Sequence, residues 1–222
     1  MLEKYQNILN KSQKRITELA NDVQSAYEEA LEAFIAEDES RAAEARSRLK
    51  NAHDRNNKID NELIKTLALF SPEARDLRVV VAYFKIAGEL TRITDYIRSY
   101  AKSIRMLMGS DLPMDTIRDN AVVFQKSALG SLRAAVASIA IEEASEELEE
   151  IFRQVNVEES KCDDIFNLIE KDTIQQIYAT PQYAADLVQL LAAMRKIERI
   201  SDRSVTIVKL VYFAHQGGRL KL

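Results

Sequence analysis

Five glycines and three prolines are all that 222 residues contain, and this scarcity of chain-breaking residues limits the fold more than any other feature. An all-β sandwich or a doubly wound sheet needs a turn-former at most of its connections, because tight turns require either a left-handed or a pre-set backbone angle. Long helices are the architecture that remains. Between Lys4 and Phe70 there is neither Gly nor Pro, and the charges are mixed, as in amphipathic helices that keep one face in water. Hydrophobic residues make up 46% of the chain, enough to form a core and too many for an intrinsically disordered segment.

The few breaks divide the chain into six helices. Asp38, followed by Glu39, Ser40 and an Ala/Arg run, predicts an N-cap with an acid in the first turn, so a second helix begins after a turn at 36–39. Ser71-Pro72-Glu73 predicts a third start, with serine as cap and proline at the first helical position, where its missing N–H costs nothing. Val79, Tyr83, Ile86, Leu90, Ile93, Ile97 and Tyr100 then recur at steps of four and three, a sustained helical stripe. Gly109 to Pro113 closes that helix and opens a fourth, from about Met114 to about Ala140. The stretch 142–150, six Glu in nine residues, reads as a solvated helix start or bend. A fifth helix runs to about Tyr178, Thr180-Pro181 starts the sixth, and Gly217-Gly218 stops it.

Charge and cysteine content remove several functions. Formal charge is −4, from 31 basic and 35 acidic residues, which gives no basic face for displacing counterions from nucleic acid. One cysteine excludes a disulfide framework and a multi-cysteine metal site. The first residues carry charge and no apolar core of a secretory signal, and no apolar run reaches the ~18 residues needed for a transmembrane segment. The expectation is a reduced, cytoplasmic setting with Cys162 an ordinary thiol. There is no Gly-x-Ser-x-Gly elbow and no Walker loop, and His53 and His215, the two histidines, belong to no Glu-x-x-His pair. Arg75-Asp76-Leu77-Arg78 reads as a helix start with salt bridges, and less readily as a docking or oxyanion site.

The sequence also repeats. Leu90-Thr-Arg-Ile-Thr-Asp95 and Ile197-Glu-Arg-Ile-Ser-Asp202 share one pattern 107 residues apart, and each is preceded by a helix with an apolar-or-Cys-then-Asp pair, Ile59-Asp60 and Cys162-Asp163. Order and spacing predict a tandem duplication of a three-helix unit, residues 1–109 and 110–222. At 1.5 Å per residue, helices of roughly 30 residues are about 45 Å long, giving two antiparallel bundles.

Glu198 and Asp202 are four positions apart, so their carboxylates project from one helix face about a turn apart. Such a pair clamps a hard cation, and Asp163 on the preceding helix is the natural third ligand. The competing reading pairs Glu198 with Arg195 and Asp202 with Arg199, as helix-surface salt bridges worth ~0.3 kcal/mol each. In the first repeat Thr91 replaces the glutamate. That leaves Asp95, with Asp60 and water to complete a weaker shell; Glu89, six positions from Asp95, is poorly placed to help.

Ser71 to Arg78, Lys85-Ile86 and the two Arg-Ile-x-Asp motifs resemble the PhoU family of phosphate-uptake regulators over most of the chain. The resemblance implies two three-helix bundles, no enzymatic activity, and iron or zinc bound on the bundle surface by Glu/Asp-x-x-x-Asp motifs, with Mg or Mn also compatible with carboxylates. By that resemblance the metal residues are Glu198, Asp202, Asp163, Asp95 and Asp60. Thr91 departs from the motif, and Thr94 and Ser201 stand where the family usually has glycine. The implied partners are phosphate transporter components and a sensor histidine kinase at the cytoplasmic membrane face, with a homodimer as the expected assembly. A purely structural helical scaffold without metal is the alternative. A carboxylate-metal enzyme would need an open, water-excluding pocket that long exposed bundles seldom supply.

Overall fold

The computed structural model describes residues 2–141 and 143–217. Its helices are α1 (Leu2–Ala36), α2 (Glu39–Arg48), α3 (Ala52–Phe70), α4 (Ala74–Met108), α5 (Asp115–Ser138), α6 (Glu146–Ala179) and α7 (Ala184–Gln216), with a 3₁₀ turn at Pro181–Tyr183 before α7. No strand occurs among the described residues. The six-helix plan holds, with its second helix interrupted. At Leu49 to Asn51 the backbone tightens into i→i+3 bonds, Lys50 N–H to Ser47 and Ala52 N–H to Leu49, and α2 and α3 are the two pieces. Leu49 is buried there, and flanking Ser47 and Asn51 are residues that compete with the helix for backbone hydrogen bonds.

The helix starts follow the sequence in part. Asp38 caps α2 by accepting the Arg41 N–H, and Ser145 caps α6 by accepting the Leu148 N–H, ahead of a first turn containing Glu146, Glu147 and Glu149. The proline starts differ from expectation. Pro72 lies outside the helix: Ser71 takes a left-handed backbone (φ 45°) to end α3, and α4 begins at Ala74 with no side-chain cap from Glu73. Pro181 opens the 3₁₀ turn rather than α7, and the Thr180 hydroxyl donates back to Gln176 at the end of α6. At the other end of α7, Gly217 takes the positive φ of 75° that closes the helix; Gly218 and Glu142 lie outside the described residues.

α1, α2–α3 and α4 form one three-helix bundle, and α5, α6 and α7 form the other. The most extensive helix contact in the molecule is nevertheless between α4 and α7. Arg203 on α7 meets Glu89 on α4, while Lys196 on α7 meets Ser103 on α4. Rising numbers on one helix therefore meet falling numbers on the other, and the two third helices are antiparallel. The α4 stripe supplies this core: Ile86, Leu90, Ile93, Ile97 and Tyr100 are fully buried, although at its start Val80 is buried and Val79 only partly so. A polar node ties the bundles together, since the buried Gln125 of α5 accepts the Tyr27 hydroxyl on its backbone carbonyl and the Tyr100 hydroxyl on its side chain. Loss of contact with water lifts both phenols well above the ordinary tyrosine range.

Candidate metal centre

Two acids one helical turn apart on α6, Glu159 and Asp163, face Asp202 on α7, and the three carboxylates each offer an oxygen within 4.8 Å of the others. Among the described residues this is the one group of three or more ligand-bearing side chains so gathered. Helical periodicity builds it. Cys162 and Phe166 turn one face of α6 into the core, and Ile197 and Ile200 do the same for α7. The residues on the shoulders of those faces, Glu159, Asp163 and Asp202, meet along the seam at the surface.

The charges there are poorly compensated. Burial raises Glu159 above the usual carboxylate range and the charges of Asp163 and Asp202 raise it further, with Lys209 and the Ser160 hydrogen bond opposing. Asp163 is raised by burial, then by Asp202 and Asp164. Among the described residues no Lys, Arg or His lies within ion-pair distance of Glu159 or Asp163. A like-charged oxygen cluster of this kind is neutralised by a hard cation, and the all-carboxylate donor set suits Mg, Ca, Mn or Fe and accepts Zn.

Glu198 is placed differently from the sequence expectation. It lies at the edge of the cluster, within electrostatic reach of Asp202 and Asp163. Burial lifts its carboxyl first and Asp202 second, while Arg199 and Arg195 pull it down. Both pairings of the competing reading are present, Arg195 to Glu198 at 3.4 Å and Arg199 to Asp202 at 3.3 Å. Arg195 is also shared with Glu170 at 3.3 Å and stacks its guanidinium over the Phe166 ring at 4.2 Å. The arginines therefore occupy Glu198 and one side of Asp202, and leave Glu159 and Asp163 to each other.

Glu159 is the residue that sequence reasoning missed. Its signal was available, because Glu159-x-x-x-Asp163 has the same four-residue spacing as Glu198-x-x-x-Asp202. At the matching offset the first repeat has Asn56-x-x-x-Asp60 and Thr91-x-x-x-Asp95, so each of its pairs retains one acid. There the side chains find local partners in part. Asp95 meets His53 Nε2 at 2.9 Å, Asp60 accepts from Asn56 at 3.0 Å, and the Thr91 hydroxyl donates to the Ala87 carbonyl. One Asp60 oxygen is buried with no partner, and burial raises that carboxyl. Cys162 points away from the acids, its thiol 3.8 Å from the Phe124 carbonyl and pushed up to about 12 by burial, so it behaves as a core residue rather than a reactive thiolate.

A family model described as the PhoU domain matches the chain twice, at residues 16–104 and 126–211. A Rhizobium meliloti protein named "Phosphate-specific transport system accessory protein PhoU homolog" is 23% identical over 212 residues, covering 93% of this chain and 84% of that one. A Methanothermobacter thermautotrophicus protein named "Phosphate-specific transport system accessory protein PhoU homolog 1" is 22% identical over 220 residues, covering 96% and 97%. The crystal structure of PhoU from Pseudomonas aeruginosa superposes with a TM-score of 0.85 at 19% identity, over 96% of this chain and all of the other.

Proposed function

The chain belongs to the PhoU family, and from that premise we propose that it is a non-enzymatic regulator of phosphate uptake. In this reading it works as a helical adaptor on the cytoplasmic side of the membrane, contacting phosphate transporter components or a sensor histidine kinase and using a carboxylate-bound metal. The names of its relatives, accessory proteins of phosphate-specific transport, support the transporter half. No helix among the described residues is long and apolar enough to cross a membrane, which is consistent with attachment through partners. The metal half rests on one observation above all: Glu159 and Asp163 on α6 converge with Asp202 on α7, and Arg199, on Asp202, is the one cation within ion-pair distance of the three among the described residues. Glu198 would complete the shell only by exchanging its ion pairs with Arg195, at 3.4 Å, and Arg199, at 3.5 Å, for the metal. The first repeat, with Asn56 and Thr91 in place of acids, would bind more weakly through Asp60 and Asp95.

Elemental analysis of protein purified without chelator tests the metal. Glu159→Gln and Asp163→Asn should each lower bound iron, manganese or zinc several-fold, with Asp95→Asn a smaller loss. Equal metal content in all variants would favour the scaffold reading, in which the Arg195 and Arg199 salt bridges are the whole role of Glu198 and Asp202. Affinity capture from membranes tests the partner, and phosphate uptake in cells lacking this protein should differ from wild type.

A further inference from the structure

The junction between the two repeats contains a cavity of about 260 Å³ that none of the preceding chemistry uses. Six apolar side chains line it, Phe34 from the end of α1, Ile104, Leu107 and Met108 from the end of α4, and Leu112 and Met114 from the linker, with Ser110 and Pro113 beside them. Two charged side chains, Glu37 and Arg118, also line it. Arg118 of α5 donates to the Ile35 carbonyl at 2.7 Å and forms an ion pair with Glu37. The pair is asymmetric. The Arg118 side chain is 34% exposed and anchored on backbone, whereas that of Glu37 is 62% exposed and stands on a residue with a φ of 55°, a left-handed conformation uncommon for glutamate.

We propose that this cavity is a binding site for a small amphiphilic carboxylate, with its apolar tail among the six apolar side chains and its carboxylate on Arg118 in place of Glu37. The size sets the tail. An apolar cavity of about 150 Å³ accepts benzene, about 25 Å³ per carbon, so 260 Å³ has room for about ten carbons. The charge sets the head. A guanidinium held at a cavity mouth by a backbone carbonyl keeps its remaining N–H groups free for a carboxylate, and Glu37 now takes one of them, on Nη1, while Nη2 stays on the Ile35 carbonyl. An alcohol with the same tail leaves Glu37 in place and gains only the burial of its carbons. Because the walls come from α1, α4, the linker and α5, the ligand bridges both repeats at their covalent joint.

Calorimetric titration of the full chain with hexanoate, octanoate and decanoate, each below its micelle concentration, and with octanol as the uncharged control, tests this. Octanoate and decanoate should bind saturably and at least tenfold tighter than octanol. Glu37→Gln, which removes the competing charge, should tighten octanoate several-fold; Arg118→Gln should abolish the preference over octanol. Met108→Trp should fill the cavity and abolish binding, with circular dichroism confirming that each variant is folded. No saturable binding to the wild type, equal affinity for octanol and octanoate, or octanoate affinity unchanged in Arg118→Gln and Met108→Trp would each overturn the proposal. Metal content reads a separate site, so this result stands or falls independently of the carboxylate cluster.

Discussion

Glu159 and Asp163 show what one residue contributes when its neighbours share its sign. Both carboxyls are raised, by burial first and by neighbouring acids second. A raised acid binds its proton earlier in the folded chain than in the unfolded one. Through the window from above the folded value down to the ordinary carboxylate value near 4, the native state therefore carries more protons, and stability falls as pH rises. The penalty is complete above the folded value and vanishes below the unfolded one. In chelator-treated protein the melting temperature should consequently gain, as pH falls from 7.5 to about 4, relative to the Glu159→Gln/Asp163→Asn variant measured over the same range. Saturating metal, which needs both carboxylates ionised, should erase that gain. Identical pH slopes in the metal-free wild type and the double variant would show that the cluster is solvated and unstrained. The first repeat offers the contrast: there Asn56 and Thr91 remove the repulsion along with the ligands, which is why Asp60 and Asp95 find hydrogen-bonding partners in Asn56 and His53.

Single helices were readable to the extent that their signals were local. The α4 stripe, the Asp38 cap and the Gly217 stop depend on residues a few positions apart, and each is realised in the structure. The break at Leu49 was not readable, because it follows from burying one leucine between packed helices while Ser47 and Asn51 only permit it. The same distinction explains the site. Glu198 and Asp202 form a visible pair within one helix, but which acids meet across the α6–α7 seam is decided by rotation of the two helices, and that brought in Glu159. Caps provide a quantitative test at this scale. Ser145→Ala removes the acceptor for the Leu148 N–H and should cost about 1 kcal/mol, lowering the melting temperature by about 2–4 °C in a chain of this size. Thr180→Ala should cost less than half of that, since its hydroxyl bonds to the Gln176 carbonyl, an acceptor that already receives the Thr180 N–H. Equal losses in the two variants would mean that Thr180 caps α7 after all.

For the molecule as a whole the decisive surface is the antiparallel pairing of α4 and α7, which joins the two repeats along the third helix of each. Glu89 occupies it: 8% exposed, its carboxylate accepts from Arg92 of its own helix at 2.6 Å and from Arg203 of the other repeat at 3.3 Å. A carboxylate this buried is stable only while paired, so the residue too far from Asp95 to help the first metal motif has a separate task between the repeats. Both arginines keep substantial contact with water, and Arg92 can partly serve if Arg203 is removed, so the coupling belongs at the low end of buried pairs. A double-mutant cycle with Glu89→Gln and Arg203→Gln should give a coupling of about 1 kcal/mol. Because Ile86, Ile93, Ile197 and Ile200 all lie in one continuous core, that loss should fall on both repeats at once. Hydrogen exchange resolved by segment should show α3 and α6 losing protection by the same free energy in Glu89→Gln. Loss confined to one repeat, or two separated thermal transitions, would show that the bundles unfold independently and that α4–α7 is a contact between domains rather than the centre of one.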